Sequence, residues 1–422
     1  MNHLEHSLDV SQEAADLHRQ YSAGDPGIFN AYLTSSLNSF SAHLSRLGHH
    51  ERALEVDQEA VDLFRHLAAG RPSVFNAGLA SSLNSLSARL AHLGHHEQAL
   101  EVSQEAVDLF EQLAAGRPGV FGASLASSLI GLSARHTSLR RHEYAIEVNL
   151  EAVDLYRRLA ASNPDVFNAD LASSLNNYSS CLAHLGHHDH GLEVILEAVD
   201  LYRQLAAGRP DDFNAGLASS LLGLSSRLAH LGRHEQALEP NREAVDLCRQ
   251  LVASHPGVFD ADLATSLNNY SSRLCQLGRH EHALVVIREA VDLYRQLVAD
   301  RPGVFDVDLV SSLNGLSARL AHQGRHEQAL EPNREAVDLC RQLAASYPGV
   351  FNADLASSLN NYSSRLSQLG HHEEALKAIL EAVDLFRQLA ASRPGVFNAG
   401  LATSLNGLSA CLARQGGESS LQ

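Results

Sequence analysis

Twenty-five of the 422 residues are histidine, the side chain whose ordinary pKa near 6.5 suits it to proton transfer and metal binding around neutral pH. The densest run is His184, His187, His188, Asp189 and His190. A structural zinc site needs about four convergent ligands. This run crosses an expected turn that sends its side chains apart, so no metal site is expected. The cysteines Cys181, Cys248, Cys275, Cys340 and Cys411 are odd in number and contain no C-x-x-C pair. No phosphate-binding loop, G-x-S-x-G, H-E-x-x-H or local Cys–His pairing occurs. The chain is therefore read as having no catalytic residues and no cofactor, and as not being an enzyme.

What positions these side chains is a repeat. Glu-Ala-Val-Asp-Leu begins at Glu59, Glu105, Glu151, Glu197, Glu243, Glu289, Glu335 and Glu381, each 46 residues after the last, and Glu13 opens a related copy. A unit of this length cannot bury its apolar face alone, so copies must stack. Cys248 and Cys340 stand where other copies carry Tyr or Phe, and read as small core residues. From Leu129 onward a second period of 92 residues appears: Asn-Asn-Tyr at 176–178, 268–270 and 360–362 alternates with Gly-Leu at 131–132, 223–224, 315–316 and 407–408. It reflects either duplication in two-repeat blocks or a ligand spaced at two repeats.

Within one copy, Leu79, Leu83, Leu86, Leu90 and Leu93 form a single helical face, here termed helix A. Gly94 supplies a left-handed stop. Ala99, Val102, Ala106, Leu109 and Leu113 then mark helix B, which ends at Gly116-Arg117-Pro118. Phe121 is expected to plug the groove between repeats from the linker. Ser124, like Asn76 and Asp262 elsewhere, is expected to cap the next helix A. Asp62 and Arg65 are expected to pair along helix B. Pro240 and Pro332 fall inside helix B and each removes a hydrogen bond, while Arg140 replaces the turn glycine of one copy.

The combination G-x-H-E-x-A-L with a second alanine seven residues later resembles the tetratricopeptide repeat (TPR). It recurs through Gly48, Gly94, Gly186, Gly232, Gly278, Gly324, Gly370 and Gly416, and through Ala53, Ala99, Ala145, Ala237, Ala283, Ala329 and Ala375. The long repeat, with L-N-N in helix A and proline in the linker, is closest to kinesin-light-chain-type TPR arrays. A HEAT or armadillo array fits the period but does not need the Gly/Ala pattern. The resemblance implies an all-α fold: a right-handed superhelical solenoid of antiparallel helix pairs in nine periods. It is read as one domain over 1–415 with a flexible tail at 416–422.

In the family, helix A lines the concave face. Two rows of this chain map there: Asn38, Asn84, Asn176, Asn268, Asn314, Asn360 and Asn406, and His92, His184, His230, Gln276, His322 and Gln368, the latter flanked by Arg46 and Arg414. The resemblance implies that these rows can hold an extended peptide, although they equally suit a solvated face. The partner is therefore expected to be a peptide or protein.

A second class of function is structural. The array opens in a helix B and closes in a helix A, so Leu4, Leu8, Leu401, Leu405, Leu408 and Leu412 are expected at faces that could dock head to tail into a homo-oligomeric filament or ring.

Composition narrows the partners. The formal charge is −17 with no block of like charge, which argues against nucleic acid and anionic membrane. Protonation of the histidines below about pH 7 would cancel much of that charge. The N-terminus MNHLEHSLDV has no leader pattern, and no stretch reads as long enough to span a bilayer. A cytoplasmic setting is expected.

Overall fold

A computed structural model gives the backbone of residues 2–22, 26–346 and 349–419, and the side chains of these except 2–6, 18–31, 35, 46 and 415–419. Every element among the described residues is an α-helix, and the chain forms two compact units. Residues 1–209 contain α1 (Asn2–Ser22), α2 (Pro26–Arg46), α3 (His50–Gly70), α4 (Pro72–His92), α5 (His96–Gly116), α6 (Pro118–Ser138), α7 (His142–Ser162), α8 (Pro164–His184) and α9 (His188–Gly208). Residues 210–422 contain α10 (Pro210–His230), α11 (His234–Ser254), α12 (Asp260–Gln276), α13 (His280–Asp300), α14 (Asp306–His322), α15 (His326–Ser346), α16 (Asn352–Gln368), α17 (His372–Ser392) and α18 (Pro394–Ser419). Even-numbered helices are the A helices and odd-numbered ones the B helices.

Within each unit every helix packs on the next in the chain, and successive A helices also touch, as α4 does α6 and α14 does α16. Within each unit the apolar core is shared between successive helices. One cluster joins Phe64 and Leu67 of α3 to Leu79, Leu83 and Leu90 of α4 and to Ala99 and Ala106 of α5. Both signature alanines are fully buried in this and other copies, for example Ala145 and Ala152, or Ala329 and Ala336. Cys248 and Cys340 are buried in the aromatic slot, as expected of small core residues. All five cysteines are unpaired.

The A-to-B turn follows from glycine. Gly94 adopts φ +84, and the His95 amide donates to the Leu90 carbonyl at 2.8 Å, closing the helix C-terminus. Arg140 holds the same conformation with φ +58, at a cost of about 1–2 kcal/mol for a residue with a Cβ. Beyond the turn a buried serine latches the hairpin. Ser87 Oγ donates to the Ala99 carbonyl at 2.8 Å, and the bond recurs from Ser41 to Ala53, Ser133 to Ala145, Ser179 to Gly191, Ser271 to Ala283 and Ser363 to Ala375.

Several local expectations are corrected. In residues 1–209 the B-to-A connections shrink to single residues, Arg71, Arg117 and Asn163, because proline at the first helical position is already set for the helix and has no amide to satisfy. Asn76 and Ser124 thus lie inside helices rather than capping them. Phe121 lies in α6, where it packs against a cluster containing Ala80, Val107 and Phe110. In residues 210–422, α12 and α14 start later, and Asp262 sits in the first turn. There Gly257 and Gly303 take positive φ, and Asp306 Oδ2 accepts from the Gly303 amide at 2.7 Å.

The expected i,i+3 pairing forms from Arg157 to Asp154, Arg295 to Asp292 and Arg387 to Asp384 at 3.5–3.9 Å, whereas Arg65 reaches Glu105 of the next repeat at 2.6 Å rather than Asp62. The same step links Arg157 to Glu197, Arg249 to Glu289, Arg295 to Glu335 and Arg341 to Glu381 at 2.6–2.8 Å. These exposed pairs are each worth about 0–1 kcal/mol. Where Glu111 replaces the arginine, burial and then the facing Glu151 raise its pKa instead.

Helices α11 and α15 continue through Pro240 and Pro332. Helix α18 runs through Gly416 to Ser419, and 420–422 lie outside the described residues. Its segment Pro394–Arg414 is long and apolar enough, by length and composition, to cross a membrane, and only 11% of that stretch is buried. That corrects the expectation that no stretch is long enough. The A helices are poor in charge, and here Cys411 replaces the arginine that most copies carry.

Histidines meet where the start of a B helix faces the end of the following A helix. His50 Nε2 lies 2.8 Å from His92 Nε2, and the rings of His142 and His184 and of His280 and His322 stack at 5.2 and 4.1 Å. Burial, then His92, Arg89 and His49, lowers the His50 pKa. A histidine pKa lowered by folding means that the fold prefers the neutral ring. Its contribution is complete above the unfolded value of about 6.5 and is lost as pH falls through it toward the folded pKa. Thermal stability should therefore decline between about pH 7 and pH 5. His92→Gln, the residue found at Gln276 and Gln368, should make that decline shallower. An unchanged slope in a pH series of melting curves would contradict this.

Candidate functional site

The surface formed by neighbouring A helices is built from the segment S-S-L-N-x-x-S-x-R. Leucines such as Leu83, Leu86 and Leu90 enter the core, which leaves the asparagine and arginine to face the adjoining A helix. The asparagines are half-buried, except for exposed Asn406. Their amides form a ladder to a buried serine of the next repeat: Asn38 to Ser82 at 3.1 Å, Asn84 to Ser128 at 2.6 Å, Asn268 to Ser312 at 2.6 Å and Asn314 to Ser358 at 3.0 Å. The Oδ1 atoms of Asn268 and Asn360 are buried and accept no hydrogen bond. Asn176 is half-buried on α8.

The second row lies at the rim. His92, His184, His230, Gln276, His322 and Gln368 are all exposed. His92, His184 and His322 are the members of the ring pairs, while Gln276 and Gln368 accept from Arg273 and Arg365 at 2.9 and 2.8 Å. The side chain of Arg46 lies outside the described residues.

Between the two rows runs an arginine column that the sequence reading did not single out, although its spacing was available: Arg89, Arg135, Arg227, Arg273, Arg319 and Arg365, with Cys181 and Cys411 in the same register. Arg89 has an internal counter-charge. Its Nε donates to Asp57 Oδ2 at 3.3 Å and its Nη1 to Ser45. Asp57 is 1% exposed, and burial raises its pKa against the opposing effects of Ser41 and Arg89.

Other copies replace Asp57 by Ser103, Asn149, Asn241 or Asn333, or by isoleucine at Ile195, Ile287 and Ile379. Arg319 is then held by Ser271 Oγ (2.8 Å), Ser272 Oγ (2.9 Å) and the Gly315 carbonyl (3.1 Å). Arg135 donates to the carbonyls of Gly131 and Ser87, both at 3.3 Å. The Nε atoms of Arg273 and Arg365 are buried without a partner. Burial lowers the pKa of all four, and among the described residues none pairs with a carboxylate. The 92-residue period has a counterpart here. Arg135 and Arg319 fold back over Gly131 and Gly315, whereas Arg273 and Arg365 reach the rim glutamines.

Among the described residues no group of three or more His, Cys, Asp or Glu side chains converges in a way that could hold a metal ion. Of the expected docking leucines, the side chain of Leu4 lies outside the described residues. Leu8 packs against the core around Phe40 and Leu44, and Leu401 and Leu408 are half-buried. Leu405 and Leu412 are 39% and 52% exposed, against 1% for their counterparts Leu359 and Leu366 one repeat earlier.

Comparison with known proteins bears on the fold. The tetratricopeptide repeat model matches residues 79–114, 217–257, 263–302 and 309–344, and the model of anaphase-promoting complex subunit 5 matches residues 1–68. No curated protein matches the chain. Among solved structures, the apo form of RapI is 12% identical, with a TM-score of 0.52 over 89% of this chain and 97% of that one. A Rap protein complexed with competence and sporulation factor is 13% identical, with a TM-score of 0.50 over 93% and 100%. The TPR-like repeats of a kinesin light chain from Podosopora anserina are 14% identical, with a TM-score of 0.43 over 53% and 98%. With its glycine turns, paired buried alanines and helix hairpins in a constant register, the chain carries tetratricopeptide repeats, matched by the family model in four of its segments.

Proposed function

We propose that the chain is a non-catalytic protein-interaction scaffold that holds an extended, acidic peptide segment of a partner along its A-helix face. The observation that carries this reading is the arginine column in residues 210–422. Arg273, Arg319 and Arg365 recur once per repeat, partly desolvated, and are held only by neutral acceptors. A partly buried cation without a counter-charge gains most from an arriving carboxylate, because charge-assisted hydrogen bonds are roughly twice as strong as neutral ones. The B-helix face offers less, since arginines such as Arg65, Arg249, Arg295 and Arg341 are already paired repeat to repeat. Five unpaired cysteines are in keeping with the reducing cytoplasm.

The test is to select peptides against the full chain from a random display library. Asp and Glu should be enriched, and replacing Arg273, Arg319 and Arg365 by Gln should weaken the selected peptides by about tenfold or more. Cys181 and Cys411 indicate that the register tolerates loss of the arginine. Unchanged affinity in the triple variant would overturn the reading.

A second reading, homotypic docking, is favoured by the exposure of Leu405 and Leu412 on α18. Mass by light scattering should then rise with concentration and return to that of a single chain in Leu405→Glu/Leu412→Glu. A constant mass in the unsubstituted protein would dispose of it.

A further inference from the structure

One member of the arginine column is missing in a place where its absence leaves a cavity. Between α6, α7 and α8, Cys181 occupies the arginine register, and a cleft of about 200 Å³ opens beside it, lined by Ile130, Ser133, Thr137, Asn149, Ser180 and Cys181 among others. Asn149 stands at the position of Asp57, is 1% exposed, and keeps Oδ1 buried without a partner. Its Nδ2 is engaged by Ser133 Oγ and by Cys181 Sγ at 3.2 Å, and Ser133 Oγ in turn donates to the Ala145 carbonyl at 2.9 Å. An acceptor that loses water without gaining a donor costs about 1–3 kcal/mol, so the cleft has a standing demand for a hydrogen-bond donor.

We infer that this cleft is a subsite for an arginine side chain of a partner polypeptide. The fold supplies the comparison. At the same register Arg89, Arg135 and Arg319 place a guanidinium and its methylene stem between two A helices, against serine hydroxyls and main-chain carbonyls. Where this position is Asp57, its carboxylate accepts from Arg89 Nε. The cleft repeats those surroundings without the guanidinium. Its isoleucine wall suits the stem and its Asn149 Oδ1 suits an N–H donor. Lysine fits less well, since a compact, strongly hydrated ammonium gives up more on entering a site with no carboxylate than a guanidinium does. The inference deepens the scaffold reading and rests on it for the source of the arginine, not for the cleft itself.

The probes are N-acetyl-arginine methylamide and N-acetyl-lysine methylamide, followed by saturation-transfer NMR on the full chain at about pH 7.5, above the ordinary histidine pKa. The variants use residues that other repeats already carry at these positions. Cys181→Arg fills the cleft from within, and Asn149→Ile reproduces Ile195, Ile287 and Ile379. Saturation should reach the arginine side-chain protons and be about tenfold weaker for lysine. It should vanish in Cys181→Arg, which should also melt at a higher temperature, and should weaken in Asn149→Ile. An arginine signal that persists in folded Cys181→Arg, or none with the unsubstituted protein at millimolar probe, overturns the subsite. Failure of library peptides to bind while the arginine signal behaves as described counts against the scaffold reading and leaves the subsite standing. Library peptides that bind equally well to Cys181→Arg, with no arginine signal, do the reverse.

Discussion

The bond from a buried helix-A serine to the carbonyl of the first small helix-B residue organises the repeats that form it, whereas Ser317 donates to Asn333 instead. A hydroxyl can reach a helical carbonyl only where the two backbones approach closely, and alanine is what permits that approach. At about 1 kcal/mol net per bond, the latch matters less for its strength than for what it fixes. It sets the rotation of helix A about its own axis, as from Ser87 to Ala99 and from Ser271 to Ala283. With that rotation fixed, Leu83, Leu86 and Leu90 must enter the core, and Asn84 and Arg89 must lie against the neighbouring A helix.

Two kinds of inter-repeat ladder follow, and their difference separates the two faces. B helices join through Arg–Glu pairs, as between Arg295 and Glu335, which match charge with charge. A helices join through neutral amide–hydroxyl pairs, as between Asn268 and Ser312. A neutral ladder cannot compensate the arginines lying alongside it. Among the described residues of this column only Arg89 finds a carboxylate, because its repeat carries Asp57. Apart from Glu111 facing Glu151, the B face thus matches charge between repeats, while the A face holds partly desolvated guanidiniums with capacity to spare.

Much of this was legible in the sequence, for reasons that follow from physical range. The leucine stripe, the turn glycine and the alanine pair are local signals, since each reports a constraint within one hairpin. The helix starts were misplaced because Asn76 and Ser124 resemble caps, whereas the proline four or six residues earlier, Pro72 or Pro118, had already begun the helix. The serines were ambiguous. On the edge of an apolar stripe, Ser82 and Ser87 look the same whether they face water or bind a partner in another helix. The asparagine row was visible as a row, but its partner lies 44 residues away and only the fold brings the two together. The arginine column was visible as a spacing, yet its lack of a carboxylate is a statement about three helices at once. Cys181 is the extreme case, because what distinguishes it is space left by a side chain that is not there.

The central claim is that the A-helix face is the surface left available to a partner. Hydrogen exchange by mass spectrometry, with and without a saturating library-selected peptide, tests it most directly. The account predicts added protection in α12, α14 and α16, with α11, α13 and α15 unchanged. Protection concentrated in the B helices, with the A helices unaltered, would contradict it.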